Sequence, residues 1–133
     1  MKPLTITLFA IILFATTSIQ AQTSVYLCTE TGAFGYCYGT SDAASCAYEN
    51  CVRFGGESPV NILTTYETGY GAIAVGYNSY GQRVVGVAAG YDNLADARRR
   101  AISECSSSGG RDIYIFDSWN DSSRDYNEPS PKK

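Results

Sequence analysis

The chain has 133 residues, ten basic against thirteen acidic, a formal net charge of −3 and no histidine. That balance argues against nucleic acid or an anionic membrane as a partner, since both favour a basic field. The lack of histidine removes the commonest general base and the commonest metal ligand together.

Residues 1–21 read as an export signal. Lys2 gives a positive start, Leu8 to Ala15 is an uncharged apolar core, and Ala21 offers a small residue for cleavage before Gln22. The apolar core, about 10 to 15 residues, falls short of the roughly 20 that a span needs, so no membrane insertion is expected after cleavage. Residues 22–133 suffice for one compact domain. All five cysteines lie there, which fits an oxidising, secreted or periplasmic setting.

Val25 to Leu27 and Phe34 to Gly39 read as a hairpin, rich in β-branched and aromatic residues. Ser41 can cap a helix whose apolar positions are Ala43, Ala47, Cys51 and Phe54. Gly55-Gly56 ends that helix, and a strand from Val60 to Tyr66 follows. After the short joint Glu67-Thr68-Gly69 the same order returns. Strand Ala72 to Val75, turn Asn78 to Gly81 and strand Val84 to Val87 lead to an Asn93-capped helix from Leu94 to Cys105. The Gly109-Gly110 break and the strand Ile113 to Phe116 complete the unit.

Displacing the second half onto the first places Asp96-Ala97 on Asp42-Ala43, Ala101 on Ala47, Cys105 on Cys51 and Gly109-Gly110 on Gly55-Gly56. Gly86 and Gly90 fall on Gly35 and Gly39. The expected fold is therefore α+β: two tandem ββαβ repeats (25–66 and 70–119) in one domain over 22–119. Its antiparallel sheet would carry both alanine-striped helices on one face, stabilised by disulfides. Residues 120–133, polar and without an aliphatic side chain, are expected to form a disordered tail.

A two-residue turn at Gly32-Ala33 would set Cys28 opposite Cys37, about 4.5 Å apart between Cα atoms in a non-hydrogen-bonded pair and within disulfide range. Cys51 and Cys105 hold equivalent places and would meet if the helices lie side by side. Cys46 aligns with Arg100 and is left as the free thiol.

No sequence pattern supplies catalysis or a metal site. The cysteines are not spaced as in a zinc ribbon, a CxxC pair is lacking, and no glycine run is followed by Lys-Ser or Lys-Thr. Carboxylates are the remaining route to hydrolysis, but nothing in the sequence pairs two of them. No cofactor or metal is expected. Eleven tyrosines stand out. Tyr66, Tyr70, Tyr77, Tyr80 and Tyr91 are interleaved with Gly, Ser and Asn, as in binding loops; the alternative is ordinary strand tyrosines with buried rings. Arg98-Arg99-Arg100 is either a solvated helix face paired with Asp96 and Glu104 or a docking patch for an acidic partner.

The stretch Gly71-Ala72-Ile73-Ala74, the glycine-bearing strand after it, Ala97, Ala101 and Glu104-Cys105 together resemble the secreted, cysteine-containing bacterial domain of unknown function 4189. The resemblance is clearest over 70–119 and weaker over 25–66. It implies export and a helix-end cysteine, here Cys105. Two further cysteine places of that family hold Asp112-Ile113 and Tyr70 in this chain, so the family's pairing is not transferred. The family brings no catalytic residues.

The expected function is a non-enzymatic exported binding module, of inhibitor or immunity type, whose partner is another exported protein. The alternatives are a carboxylate-dependent cell-wall hydrolase and a secreted effector acting on a host.

Overall fold

The computed structural model describes residues 22–121. The expected signal segment, and the tail beyond Asp121, lie outside the described residues. Eight elements follow in order: β1 (Gln22–Leu27), β2 (Phe34–Thr40), α1 (Ala43–Arg53), β3 (Val60–Thr65), β4 (Tyr70–Tyr77), β5 (Arg83–Tyr91), α2 (Leu94–Ser107) and β6 (Arg111–Asn120). The α+β class and the two ββαβ units stand.

Each unit closes its own three-stranded antiparallel sheet, in the order β2-β1-β3 and β5-β4-β6. The single sheet with both helices on one face is therefore corrected to two sheets. They pack face to face, and each helix covers the outer face of its own sheet without touching the other helix. The reason lies in the central strands. β4 is buried at six consecutive positions, so it must be covered on both sides. Ile73 and Val75 join the core between the sheets, while Ala72 and Ala74 pack with Ala97 and Ala101 of α2. A strand apolar on both faces needs two apolar partners.

The inter-sheet core gathers Val25, Leu27, Phe34 and Tyr36 from the first unit and Ile73, Val75, Val85 and Trp119 from the second. Burying side chains of this size contributes about 1.5–3 kcal/mol each. Its β2–β6 side is aromatic: Trp119 stacks on Tyr38 with centroids 4.8 Å apart, and Phe116 meets Phe34 edge-on at 5.0 Å. The Tyr36 hydroxyl donates to Asp117 across the sheets at 2.6 Å. Burial, with that carboxylate beside it, pushes the phenol pKa upward.

The repeat holds at atomic resolution where helix meets sheet. A Cβ on Gly35 would lie 2.2 Å from the Cys51 nitrogen and 2.3 Å from the Ala47 carbonyl oxygen. A Cβ on Gly86 would lie 2.3 Å from the Cys105 nitrogen and 2.1 Å from the Ala101 oxygen. Each glycine lets its alanine-faced helix rest directly on the strand backbone. Both helices also end alike, with the Gly56 N–H on the Cys51 carbonyl at 2.8 Å and the Gly110 N–H on that of Cys105 at 2.9 Å.

Three details differ from expectation. Asn93 caps α2, accepting from the Asp96 N–H, but Asp42, not Ser41, holds the N-cap of α1 and makes no side-chain capping bond. The Asp42 N–H is turned instead toward the Thr40 hydroxyl. At the other end β6 continues through Asn120, and Asp121 accepts from the Thr23 hydroxyl at 3.0 Å and the Gly69 N–H at 2.7 Å, so the fold reaches past 119.

The third concerns the cysteines. The bond is Cys37–Cys46, with Cα atoms 5.9 Å apart, and the Cys28–Cys37 and Cys51–Cys105 pairings and the free Cys46 are all corrected. The first hairpin closes through four residues, Thr29 to Gly32, because the Cys28 N–H bonds to the Ala33 carbonyl at 2.8 Å. Cys28 therefore faces Ala33, and Cys37 faces Ser24. Cys37 points to the helix side of β2, within reach of Cys46 in the first turns of α1. Cys51 and Cys105 lie under helices on opposite outer faces, with both sheets between them.

Candidate functional site

Strand β5 is an edge of its sheet, paired only with β4. Between Arg83 and Tyr91 its sequence, Val-Val-Gly-Val-Ala-Ala-Gly, has no charge and no proline. Native edge strands are usually protected by such residues. Along this edge runs a groove of about 580 Å³. One wall comes from the first unit, Leu27, Ile62 and Leu63; the other comes from α2, Arg100, Glu104 and Ser108. β5 itself forms the floor.

The walls differ in character. Ile62 keeps 42 % of its surface exposed, because the pairing of β1 with β3 shifts beside it. On the α2 side Arg100 and Glu104 form an exposed i,i+4 ion pair. At the hairpin end Arg83 joins the two units: its Nη1 donates to the Gly32 carbonyl at 2.9 Å, and its guanidinium lies 5.6 Å from the Phe34 ring centroid. Its Nε is buried without a partner among the described residues, and no acidic residue is paired with it there.

The groove takes up only two of the eight residues singled out from the sequence, Tyr91 and Arg100. Tyr70 sits opposite Tyr91 on the hairpin, and both pack against the α2 cluster. Tyr77 and Tyr80 lie at the other end of that hairpin, Tyr80 with 86 % of its surface exposed, and Tyr66 is an exposed residue just after β3. The tyrosines thus occupy two ends of β4–β5 and do not form one surface. The arginines also diverge: Arg98 reaches Ser118 of β6, Arg99 pairs with Asp96, and Arg100 pairs with Glu104. Asp117 and Asp121 are held by the Tyr36 and Thr23–Gly69 bonds described above.

Ile62, Leu63 and Arg83 were missed. The available signal was the long uncharged β5 run, which would have pointed to the groove had β5 been recognised as an edge. Among the described residues no helix is long and apolar enough to cross a membrane, and no group of three or more His, Cys, Asp or Glu residues could hold a metal ion. Comparison of the chain with family models, curated proteins and solved structures found no match.

Proposed function

We propose that the protein is an exported, non-enzymatic binding module that captures an extended segment of another exported protein along the edge of β5. The observation that carries this reading is the groove along an edge strand that carries no charge or proline from Val84 to Ala89, ahead of the bulge at Ala89-Gly90. Free backbone N–H and C=O groups of an edge strand supply affinity for an added strand, and flanking pockets supply selectivity. Here Ile62, Leu63 and Leu27 offer an apolar wall for alternate side chains of the guest. Arg83, without an acidic partner among the described residues, favours a guest with a carboxylate near that end. An inhibitor or immunity role is the same capture directed at one target. Export rests on the signal-like segment and the Cys37–Cys46 bond, and membership of the domain of unknown function 4189 family is proposed on the motif resemblance alone.

The test is selection from a displayed library of random twelve-residue peptides on the purified chain, followed by affinity measurement on two variants. Ile62→Asp should weaken the selected peptides at least tenfold, whereas Tyr80→Ala, at the hairpin tip, should leave them unchanged. Peptides lost on Tyr80→Ala and retained on Ile62→Asp would overturn the reading.

A further inference from the structure

Three cysteines remain outside the Cys37–Cys46 bond, and all three are shut off from solvent: Cys28, Cys51 and Cys105. Their surroundings are not alike. Cys51 and Cys105 are repeat equivalents, and each thiol points to a backbone carbonyl at 3.5 Å, Ala33 just before β2 for Cys51 and Val84 in β5 for Cys105. The Ala33 carbonyl also accepts from the Cys28 N–H at 2.8 Å. One oxygen thus holds the backbone of Cys28 and the sulfur of Cys51, and Cys28, Ala33 and Cys51 form one buried cluster. Opposite Val84, the place corresponding to Cys28 is occupied by Gly76. The first repeat therefore sets two thiols side by side, where the second sets one thiol by a glycine.

We propose that Cys28 and Cys51 are a dithiol site that oxidises to a second disulfide, while Cys105 remains a thiol. The oxidant is an external disulfide, small-molecule or protein-borne. The Cys28 thiolate attacks one of its sulfurs, forming a mixed disulfide and releasing one thiol. The Cys51 sulfur, giving up its proton, then attacks Cys28 Sγ and expels the second thiol. One S–S bond forms in the chain, the oxidant's S–S bond breaks, and the two electrons and two protons of the chain's thiols end on the two released thiols.

The polarity of the site suits this order. The Thr31 hydroxyl and backbone groups of Ser58, Thr31 and Glu57 bring the Cys28 thiol down to about 7, which favours the attacking thiolate. Burial, together with the neighbouring Cys28, pushes the Cys51 thiol up, and burial alone raises Cys105. Because both sulfurs are sealed in the folded chain, the exchange belongs to late folding, with the Thr29–Gly32 turn and its Thr31 hydroxyl already in place and the Gly55-Gly56 segment not yet closed over them.

The test is to refold the full chain from denaturant in a glutathione/glutathione-disulfide buffer, block free thiols with N-ethylmaleimide under denaturing conditions, and map the product by mass spectrometry. The expected result is one blocked cysteine, Cys105, with peptides containing Cys28 and Cys51 joined by a disulfide. A reduced control should block all five cysteines. Recovery of Cys28, Cys51 and Cys105 all blocked would overturn the proposal, as would Cys28 or Cys51 joined to any other cysteine. A Cys105→Ser chain should give the same linked peptides with no thiol left to block, and a thiol remaining on Cys28 or Cys51 there would contradict it independently.

Discussion

The two repeats share a strand order, a helix and a pair of glycine contacts, yet they treat the same edge in opposite ways. In the first, the edge strand β2 is clamped to α1 by Cys37–Cys46, and Asn50, buried, donates its amide to Cys37 Sγ at 3.3 Å and to the Tyr36 carbonyl at 3.4 Å. In the second, the equivalent places hold Ala88, Arg100 and Glu104, and all three line the groove. A covalent clamp with a buried amide has become an alanine and a solvated ion pair. The difference teaches that the scaffold is set by small residues under the helices, while the side chains at one junction decide whether edge strand and helix are bonded covalently or meet at a solvated ion pair.

The largest effect expected tests the shared part. Gly35→Ala and Gly86→Ala each force a Cβ against helix backbone and should cost about 3 kcal/mol, the upper end of overpacking penalties, read as matching losses in urea denaturation. A large cost at one and none at the other would break the equivalence of the repeats. Removing the clamp with Cys37→Ser/Cys46→Ser should cost about 2.5 kcal/mol, the chain-entropy value for so short a loop. Asn93→Ala should cost about 1 kcal/mol through loss of its cap, whereas Asp42→Ala, with no capping bond to lose, should change little. Arg100→Ala removes only an exposed ion pair and should shift stability by no more than about 0.5 kcal/mol, so any larger change in peptide affinity reports on the groove.

The smallest effect is a pH dependence. The reduced protein's Cys28 has a folded pKa of about 7, below its ordinary value of 9.0. A depressed acid contributes stability that is fully present above the unfolded pKa and is lost as pH falls through the folded one. Stability of the reduced chain should therefore rise from pH 7 to 9, and the rise should vanish once Cys28 is in a disulfide. An unchanged slope after oxidation would count against Cys28 as its source.

Much of the frame was legible because it rests on local rules. The glycine-ended helices, the Asn93 cap and the ββαβ order follow from periodicity and from residues with special backbone needs. What failed depended on distance through space. Alanine stripes told that the helices lie close on strands, but not that two sheets would pack face to face and hold Cys51 and Cys105 apart. The hairpin register turned on whether the Cys28 N–H pairs with Ala33 or the chain turns two residues later, and that choice moved the partner of Cys37 from Cys28 to Cys46. The tyrosines drew attention by number, yet Tyr36, Tyr38 and Trp119 spend their rings on the inter-sheet core. The groove depends on β5 being an edge, which strand pairing decides.

The most direct measurement carries the clamp of the first repeat into the second. Ala88→Cys/Arg100→Cys places cysteines where Cys37 and Cys46 stand in the equivalent unit. Affinity for a groove-selected peptide is then read on the reduced and oxidised forms of that one chain, with the new bond verified by mass spectrometry. The account predicts binding when reduced and its loss, by at least tenfold, when the bond closes the β5 edge. Equal affinity in both forms would show that the peptide binds elsewhere, and the groove would lose its claim as the functional site.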